Sequence, residues 1–138
     1  MRIHRLSTPT GMQRLGVQMI AIPPGKESFI PHAHSLEEEF VFVIGGMGEV
    51  VLDGVAHPIG AGDFIGFPTD GVVHSVRAVG SEDLVYLTGG ERSRVEVADM
   101  PSIGKTAVFR NNAVAMHGET STERLTMAQW FERMRIDR

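Results

Sequence analysis

Short runs of alternating apolar and polar residues, broken every eight to twelve positions by glycine and proline, organise most of this chain. Leu15 to Ile22 is the first clear run, stopped by Pro23-Pro24-Gly25. Phe29 to His34 follows, although Pro31 restricts it to an edge or a bulged strand. Phe40 to Ile44 is apolar throughout and ends at Gly45-Gly46. Glu49 to Leu52 and Val55 to Ile59 flank Asp53-Gly54, the pair that best marks a two-residue hairpin. Phe64 to Phe67, Val72 to Val79 and Leu84 to Thr88 complete the series. Many short strands at regular spacing predict an antiparallel sandwich or barrel.

The tail has a different period. Met127, Trp130, Phe131 and Met134 recur at helical spacing, and Thr120 with Glu123 forms a capping-box pattern. A helix is therefore predicted over about residues 121–136, its apolar stripe packing onto the barrel or a second subunit rather than holding a cofactor. Residues 99–119 carry no clear period. The predicted organisation is an arm over 1–14, a barrel over 15–98 and an extension over 99–138, without internal repeats or a second domain.

Composition narrows the function. The 138 residues include no cysteine, which excludes disulfides, thiolate chemistry and cysteine-ligated metal. A formal charge of −4, with no basic run, argues against nucleic acid and anionic membrane surfaces as partners. Gln13, Arg14 and Gln18 interrupt the N-terminal apolar stretch, so neither a signal peptide nor a membrane span is expected, and a cytoplasmic location is the default.

Histidine supplies the chemistry. His32-Ala33-His34 puts two imidazoles on one face of a strand, roughly 6.6 Å apart along it. Both can bind one ion through nitrogens at about 2.0–2.1 Å. Glu37, Glu38 and Glu39 follow, and His74 comes later, after Pro68-Thr69-Asp70-Gly71. Alternation prevents adjacent acids in a regular strand from sharing a face. Buried together in an apolar barrel without a partner, such side chains would be costly.

From Gly25 to Gly46 the chain resembles the first motif of the cupin family: a glycine, His-x-His, a glutamate a few residues on, and a glycine seven beyond that. Gly62-Asp63-Phe64-Ile65-Gly66-Phe67-Pro68 through His74 resembles the second. The likeness extends over roughly residues 15–90. It implies an all-β fold, an antiparallel jelly-roll barrel, here with a C-terminal helix. It also implies one divalent metal held by His32, His34, Glu39 and His74. The family spacing selects Glu39 among the three acids, with Glu38 and then Glu37 as alternatives. Gly25 stands one residue further from His32 than is usual, two residues separate Pro68 from Gly71, and Ala78 stands where the family often has asparagine.

Three histidines and one carboxylate suit Fe, Mn, Ni, Cu or Zn. An octahedral ion with four protein ligands keeps two positions for water or substrate, in the open style of catalytic sites. Ligating histidine must be neutral, so affinity should fall in acid. Glu39 and Tyr86 are the catalytic candidates. His4, His57 and His117 match no motif, Lys26 and Arg77 are anion-binding candidates of which Arg77 faces away from His74, and Met12, Met19, Met47 and Met100 read as core fillers. The expected function is an enzyme on a small oxygenated molecule, either isomerase- or epimerase-like on a sugar or sugar-acid, or a dioxygenase. The alternative is a non-enzymatic module that binds or senses a small ligand. Cupins commonly pair, and the arm over Met1 to Thr10 has no evident partner in the barrel, so a homodimer is expected.

Overall fold

Val41 and Val43 are buried while Phe42 and Ile44 between and beyond them are exposed, as a period of two requires. This alternation recurs through the computed structural model, which describes residues 1–69, 71–111, 113–118 and 122–134. Its strands are β1 (Arg2–Arg5), β2 (Leu15–Ile22), β3 (Ala33–His34), β4 (Glu39–Gly45), β5 (Met47–Leu52), β6 (Val55–Gly60) and β7 (Phe64–Phe67). They continue with β8 (His74–Ala78), β9 (Leu84–Glu91), β10 (Val95–Met100), β11 (Lys105–Arg110), β12 (Ala113–Gly118) and β13 (Thr122–Thr126), before the helix α1 (Met127–Met134). None of the described helices is long and apolar enough to cross a membrane.

Three antiparallel sheets result, ordered β1-β2-β9-β4-β7, β6-β5-β8 and β13-β12-β11-β10-β3. The first two close the jelly-roll barrel around Ile20, Ile22, Val43, Val76, Leu84 and Tyr86. The third carries a separate core of Met100, Ala107, Val114, Met116, Leu125 and Met134, against which Phe29 and Trp130 pack. Asp53 and Gly54 both take positive φ, 46° and 82°, between Leu52 and Val55, which pair. Gly46 is at φ 81°, and a Cβ there would lie 2.3 Å from the Asp83 carbonyl oxygen; only glycine lets β4 turn into β5 so close to the strand beginning at Leu84.

Several expectations are corrected. The N-terminal arm has a partner in its own chain: β1 pairs with β2, Ile3 opposite Ile20. Only Ala33–His34 of the Phe29–His34 run forms a strand; before it, isolated bridges tie Glu27 to Arg77 and His32 to His74. Pro31 lacks the N–H that would make that stretch continuous. The described residues of 99–119 are mostly strand, their inward positions filled by small or flexible residues such as Met100, Ala107 and Met116. The helix starts at Met127 rather than near 121, because Thr122–Thr126 is taken up by pairing with β12. Its cap is a later box: Thr126 Oγ1 accepts from the Gln129 N–H at 3.2 Å, and Gln129 Oε1 accepts from the Thr126 N–H at 2.9 Å. Thr120 and residues 135–136 lie outside the described residues. Met12 and Met47 are exposed at 43% and 65%, not core fillers, whereas Met100 is fully buried.

Leu84 is fully buried, and a methyl of its side chain lies 2.5 Å from where a Cβ on Gly48 would stand. Leu84→Ala leaves a void that this sheet contact has no side chain to fill. It is expected to cost about 2–5 kcal/mol in urea unfolding, and a loss under about 1 kcal/mol would contradict the packing described.

Candidate metal centre

Reciprocal backbone bonds join the two histidine-bearing segments. The His32 N–H donates to the His74 carbonyl at 3.1 Å and the His74 N–H to the His32 carbonyl at 2.9 Å. Their rings consequently meet, with centroids 4.7 Å apart, and the His34 ring lies 5.0 Å from His32 and 5.7 Å from His74. Glu39 enters from β4. The fold thus brings together the four residues named from spacing: one ligand atom from each of His32, His34, Glu39 and His74 lies within 4.8 Å of the others. Glu37 and Glu38 are not in this group.

Each imidazole is held through Nδ1. His32 Nδ1 donates to the Ile30 carbonyl at 2.7 Å and His74 Nδ1 to the Val72 carbonyl at 3.0 Å. In both cases the acceptor is two residues back in the same segment, so the local chain itself fixes the ring. His34 Nδ1 points to Glu96 Oε1 at 3.3 Å. Phe67 stacks on the His74 ring at 3.8 Å. On the other side of the rings, His34 Nε2 and His74 Nε2 are buried without a hydrogen bond. Both lie near Glu39 Oε2, at 3.2 and 3.7 Å, but without hydrogen-bonding alignment. The second oxygen of Glu39 accepts from the Thr88 hydroxyl at 2.6 Å.

Buried nitrogens without partners are costly. Lone pairs converging on one point beside a carboxylate are the donor set of a divalent transition metal. In an octahedron with bonds of about 2.1 Å, opposite ligands stand about 4.2 Å apart, so these side chains need only a small contraction. The residues fit a metal.

The electrostatics agree. Burial opposes ionisation of Glu39, but His34, His74 and Thr88 outweigh it and hold the carboxyl well below the usual range. Burial, reinforced by the positive charge His74 and His34 would carry, pushes His32 down to about 4, so it stays neutral at physiological pH and able to ligate. Burial also disfavours charge on His34, yet Glu39 and Glu96 outweigh it and raise its pKa.

The cluster separates two spaces of unequal size. His34 and Glu39 line a cavity of about 500 Å³ at the barrel mouth. That cavity is walled on its far side by Phe109, Met127, Trp130 and Phe131 of the third sheet and helix. His32, His74 and Glu39 line a void of about 40 Å³ behind. Tyr86 lies in this rear void, not in the open cavity. Burial holds its hydroxyl protonated. Arg77 is paired with Glu49, Nη2 to Oε2 at 2.5 Å, away from the cluster as its alternation predicted.

Glu96 and Thr88 escaped the sequence analysis. Glu96 is buried and, besides His34, accepts from the Ser35 N–H at 3.0 Å and the Leu36 N–H at 3.2 Å. A signal existed: in Val95–Met100 the inward positions are 96, 98 and 100, and a glutamate in register with alanine and methionine calls for a buried partner. It went unread because that strand was not recognised. His34, Glu37 and Glu96 also approach one another closely enough to suggest a second ion. The Glu96 oxygens are already occupied by the three donors just named, and Glu37 accepts from the Ser93 N–H, so these acids serve as braces.

Removing a ligand or its brace should be separable. His74→Ala should abolish stoichiometric metal uptake. Glu96→Ala should weaken it by about 10–100-fold, read by chelator competition with Co(II). Unchanged affinity in both variants would refute the centre.

Comparison with known proteins agrees with this fold. The cupin domain family model matches residues 18–89. Protein SchB of Streptomyces halstedii is 31% identical over 122 residues, 86% of this chain and 83% of that protein. Among solved structures, a cupin-superfamily sugar phosphate isomerase from Silicibacter pomeroyi superposes with a TM-score of 0.80 at 27% identity, covering 91% of this chain and 80% of that one. A structure from Acidithiobacillus ferrooxidans, whose name suggests the same activity, superposes with a TM-score of 0.78 at 34% identity, covering 91% and 76%.

Proposed function

Because this chain belongs to the cupin family, we propose that its four-residue centre holds one divalent transition metal and serves an isomerase- or epimerase-like reaction on a small sugar derivative. The observation that carries this reading is the one-sided opening of the centre. His34 and Glu39 face a cavity of about 500 Å³, within the range of about 300–1,000 Å³ typical of small-molecule sites, while the void of about 40 Å³ behind is too small for a sugar. The names of the two structural relatives point to sugar phosphates as the substrate class.

His32, His34, Glu39 and His74 would hold the ion, which when bound would supply Lewis-acid polarisation of a substrate oxygen. The chain does the rest. Three Nδ1 hydrogen bonds keep the Nε2 atoms aimed inward. Thr88 holds one Glu39 oxygen so that the other faces the histidines. The aromatic wall of Phe109, Trp130 and Phe131 excludes water from one side of a bound sugar. Tyr86 lines the void behind the centre rather than the cavity, which leaves it off the side a substrate would occupy.

Metal-loaded protein incubated in D2O with aldose and ketose phosphates should place deuterium on the carbon next to the carbonyl, seen by proton NMR. Glu39→Gln should lose at least about 100-fold of that exchange. Tight ligand binding with no exchange under any of Fe, Mn, Ni, Zn or Cu would overturn the catalytic reading in favour of a binding module.

We further propose that the protein works as a homodimer. Met19, Leu87, Phe42 and Phe64 stand opposite one another across β2, β9, β4 and β7. They form a row on the outer face of the first sheet, with Phe42 39% and Phe64 66% exposed. An apolar row of this kind marks a contact site, and a sheet face is self-complementary about a two-fold axis. Light scattering should give twice the chain mass, falling to one chain for Phe42→Glu/Phe64→Glu. A monomeric parent would dismiss the pairing.

A further inference from the structure

Two groups stand out among the described arginines. Arg2, Arg77 and Arg133 are paired with Asp83, Glu49 and Glu123. Arg5, Arg92, Arg94 and Arg110 all line the cavity over the candidate centre, and among the described residues none of these four has an acid within salt-bridge distance. The cavity is not short of carboxylates. Four of its five glutamates hold other donors: Glu37 accepts from the Ser93 N–H, Glu91 from the Glu38 N–H, Glu96 from His34, Ser35 and Leu36, and Glu39 from Thr88. Glu38 is exposed to solvent.

Two of the four arginines have structural work. Arg92 donates to the Met12 carbonyl at 3.3 Å, Ser7 Oγ at 3.1 Å and Thr8 Oγ1 at 3.2 Å, anchoring the segment after β1. The Arg5 guanidinium sits over the Phe131 ring at 5.3 Å. Arg94 and Arg110 have no such engagement among the described residues. Their backbones are close in the sheet, and both residues line the one cavity. Arg94 immediately precedes β10, and Val95, its neighbour, is registered opposite Arg110 at the end of β11. Asn111 follows with a positive φ of 51°, turning the chain sharply beside them.

We propose that Arg94 and Arg110 form a phosphate-binding subsite at the mouth of this cavity, taking the phosphate group of a phosphorylated sugar whose oxygens reach the centre at its floor. This rests on the sugar-derivative reading above and deepens it by assigning the end of the molecule that does not react. Guanidinium presents paired N–H donors that match phosphate oxygens. Among the described residues both arginines line the cavity with no acid within salt-bridge distance, so a phosphate would meet donors that no carboxylate of this chain has taken. Both arginines belong to the extension beyond the matched family segment of residues 18–89, so the extension supplies the specificity and the barrel the chemistry.

Calorimetric titration tests this with three probes: inorganic phosphate, ribose 5-phosphate and ribose. Each is added to metal-loaded and to metal-stripped protein. Arg94→Ala/Arg110→Ala should weaken ribose 5-phosphate by about tenfold or more and leave ribose unchanged. Arg94→Lys/Arg110→Lys should recover part of the loss, and Arg124→Ala, on β13 away from the cavity, should change nothing. Inorganic phosphate should keep its dependence on the two arginines after the metal is removed. The proposal is overturned if the double alanine variant, folded and metal-loaded like the parent, binds ribose 5-phosphate as the parent does. It is equally overturned if the parent binds neither phosphate probe, or if phosphate binding vanishes with the metal and ignores the arginines. Arginine-dependent binding without deuterium exchange would sink the catalytic reading and leave this subsite standing.

Discussion

The pair of backbone hydrogen bonds between His32 and His74 is the constraint from which the site follows. It fixes two segments distant in sequence to a single register. A slip of one residue there would turn both side chains to the opposite face. Everything around it is irregular. The stretch before β3 forms only isolated bridges, and residues 71–73, just ahead of β8, belong to no strand. Two hydrogen bonds suffice because each histidine also binds its own chain through Nδ1, to Ile30 and to Val72. Ring orientation is therefore settled locally, and the bridge has only to bring two pre-set rings together.

His34 is held differently. It sits in β3, paired with β10 rather than with β8, and its Nδ1 looks to Glu96 instead of a carbonyl in its own segment. One ligand of the centre consequently depends on a strand beyond the matched family segment. Glu96 ties the ring and the backbone of Ser35 and Leu36 to the same carboxylate. A buried charge of this kind is tolerated only when its acceptor capacity is filled, and three donors fill it. The cost of burying Glu96 and the ordering of the β3–β4 connection are two aspects of one interaction.

Much of this was legible in the amino-acid order, for identifiable reasons. Strands bounded by strong breakers were read to their ends: Leu15–Ile22 stops at two prolines, and Phe64–Phe67 lies between Asp63 and Pro68. The four clustered residues were legible because His-x-His, a glutamate shortly after it and a later histidine all fall at motif spacing. Residues 95–118 were opaque because small side chains blur the alternation; Ala98, Ala107 and Ala115 give a weak period however well they pack. The helix start was misread for another reason. Thr120 with Glu123 and Thr126 with Gln129 are both capping patterns, and local sequence does not rank them. Pairing of Thr122–Thr126 with β12 does. The stretch from Met1 to Thr10 looked partnerless because four residues of strand, Arg2–Arg5, are too short to show a period.

The cavity shows why the missed part matters. Its floor, with His34, Glu39 and Thr88, comes from segments that the sequence announces. Its far wall, with Phe109, Trp130 and Phe131, comes from the third sheet and the helix, where the sequence is least explicit. Ligands for an ion must meet within a few ångströms and at fixed angles, so their residue types and spacing are tightly constrained. A wall that contacts a small molecule has only to offer shape and a few polar groups, which many sequences can supply. Chemistry is thus readable from a motif while specificity is not. In this chain the two are also divided in space, between a barrel that positions the centre and an extension that bounds what can reach it.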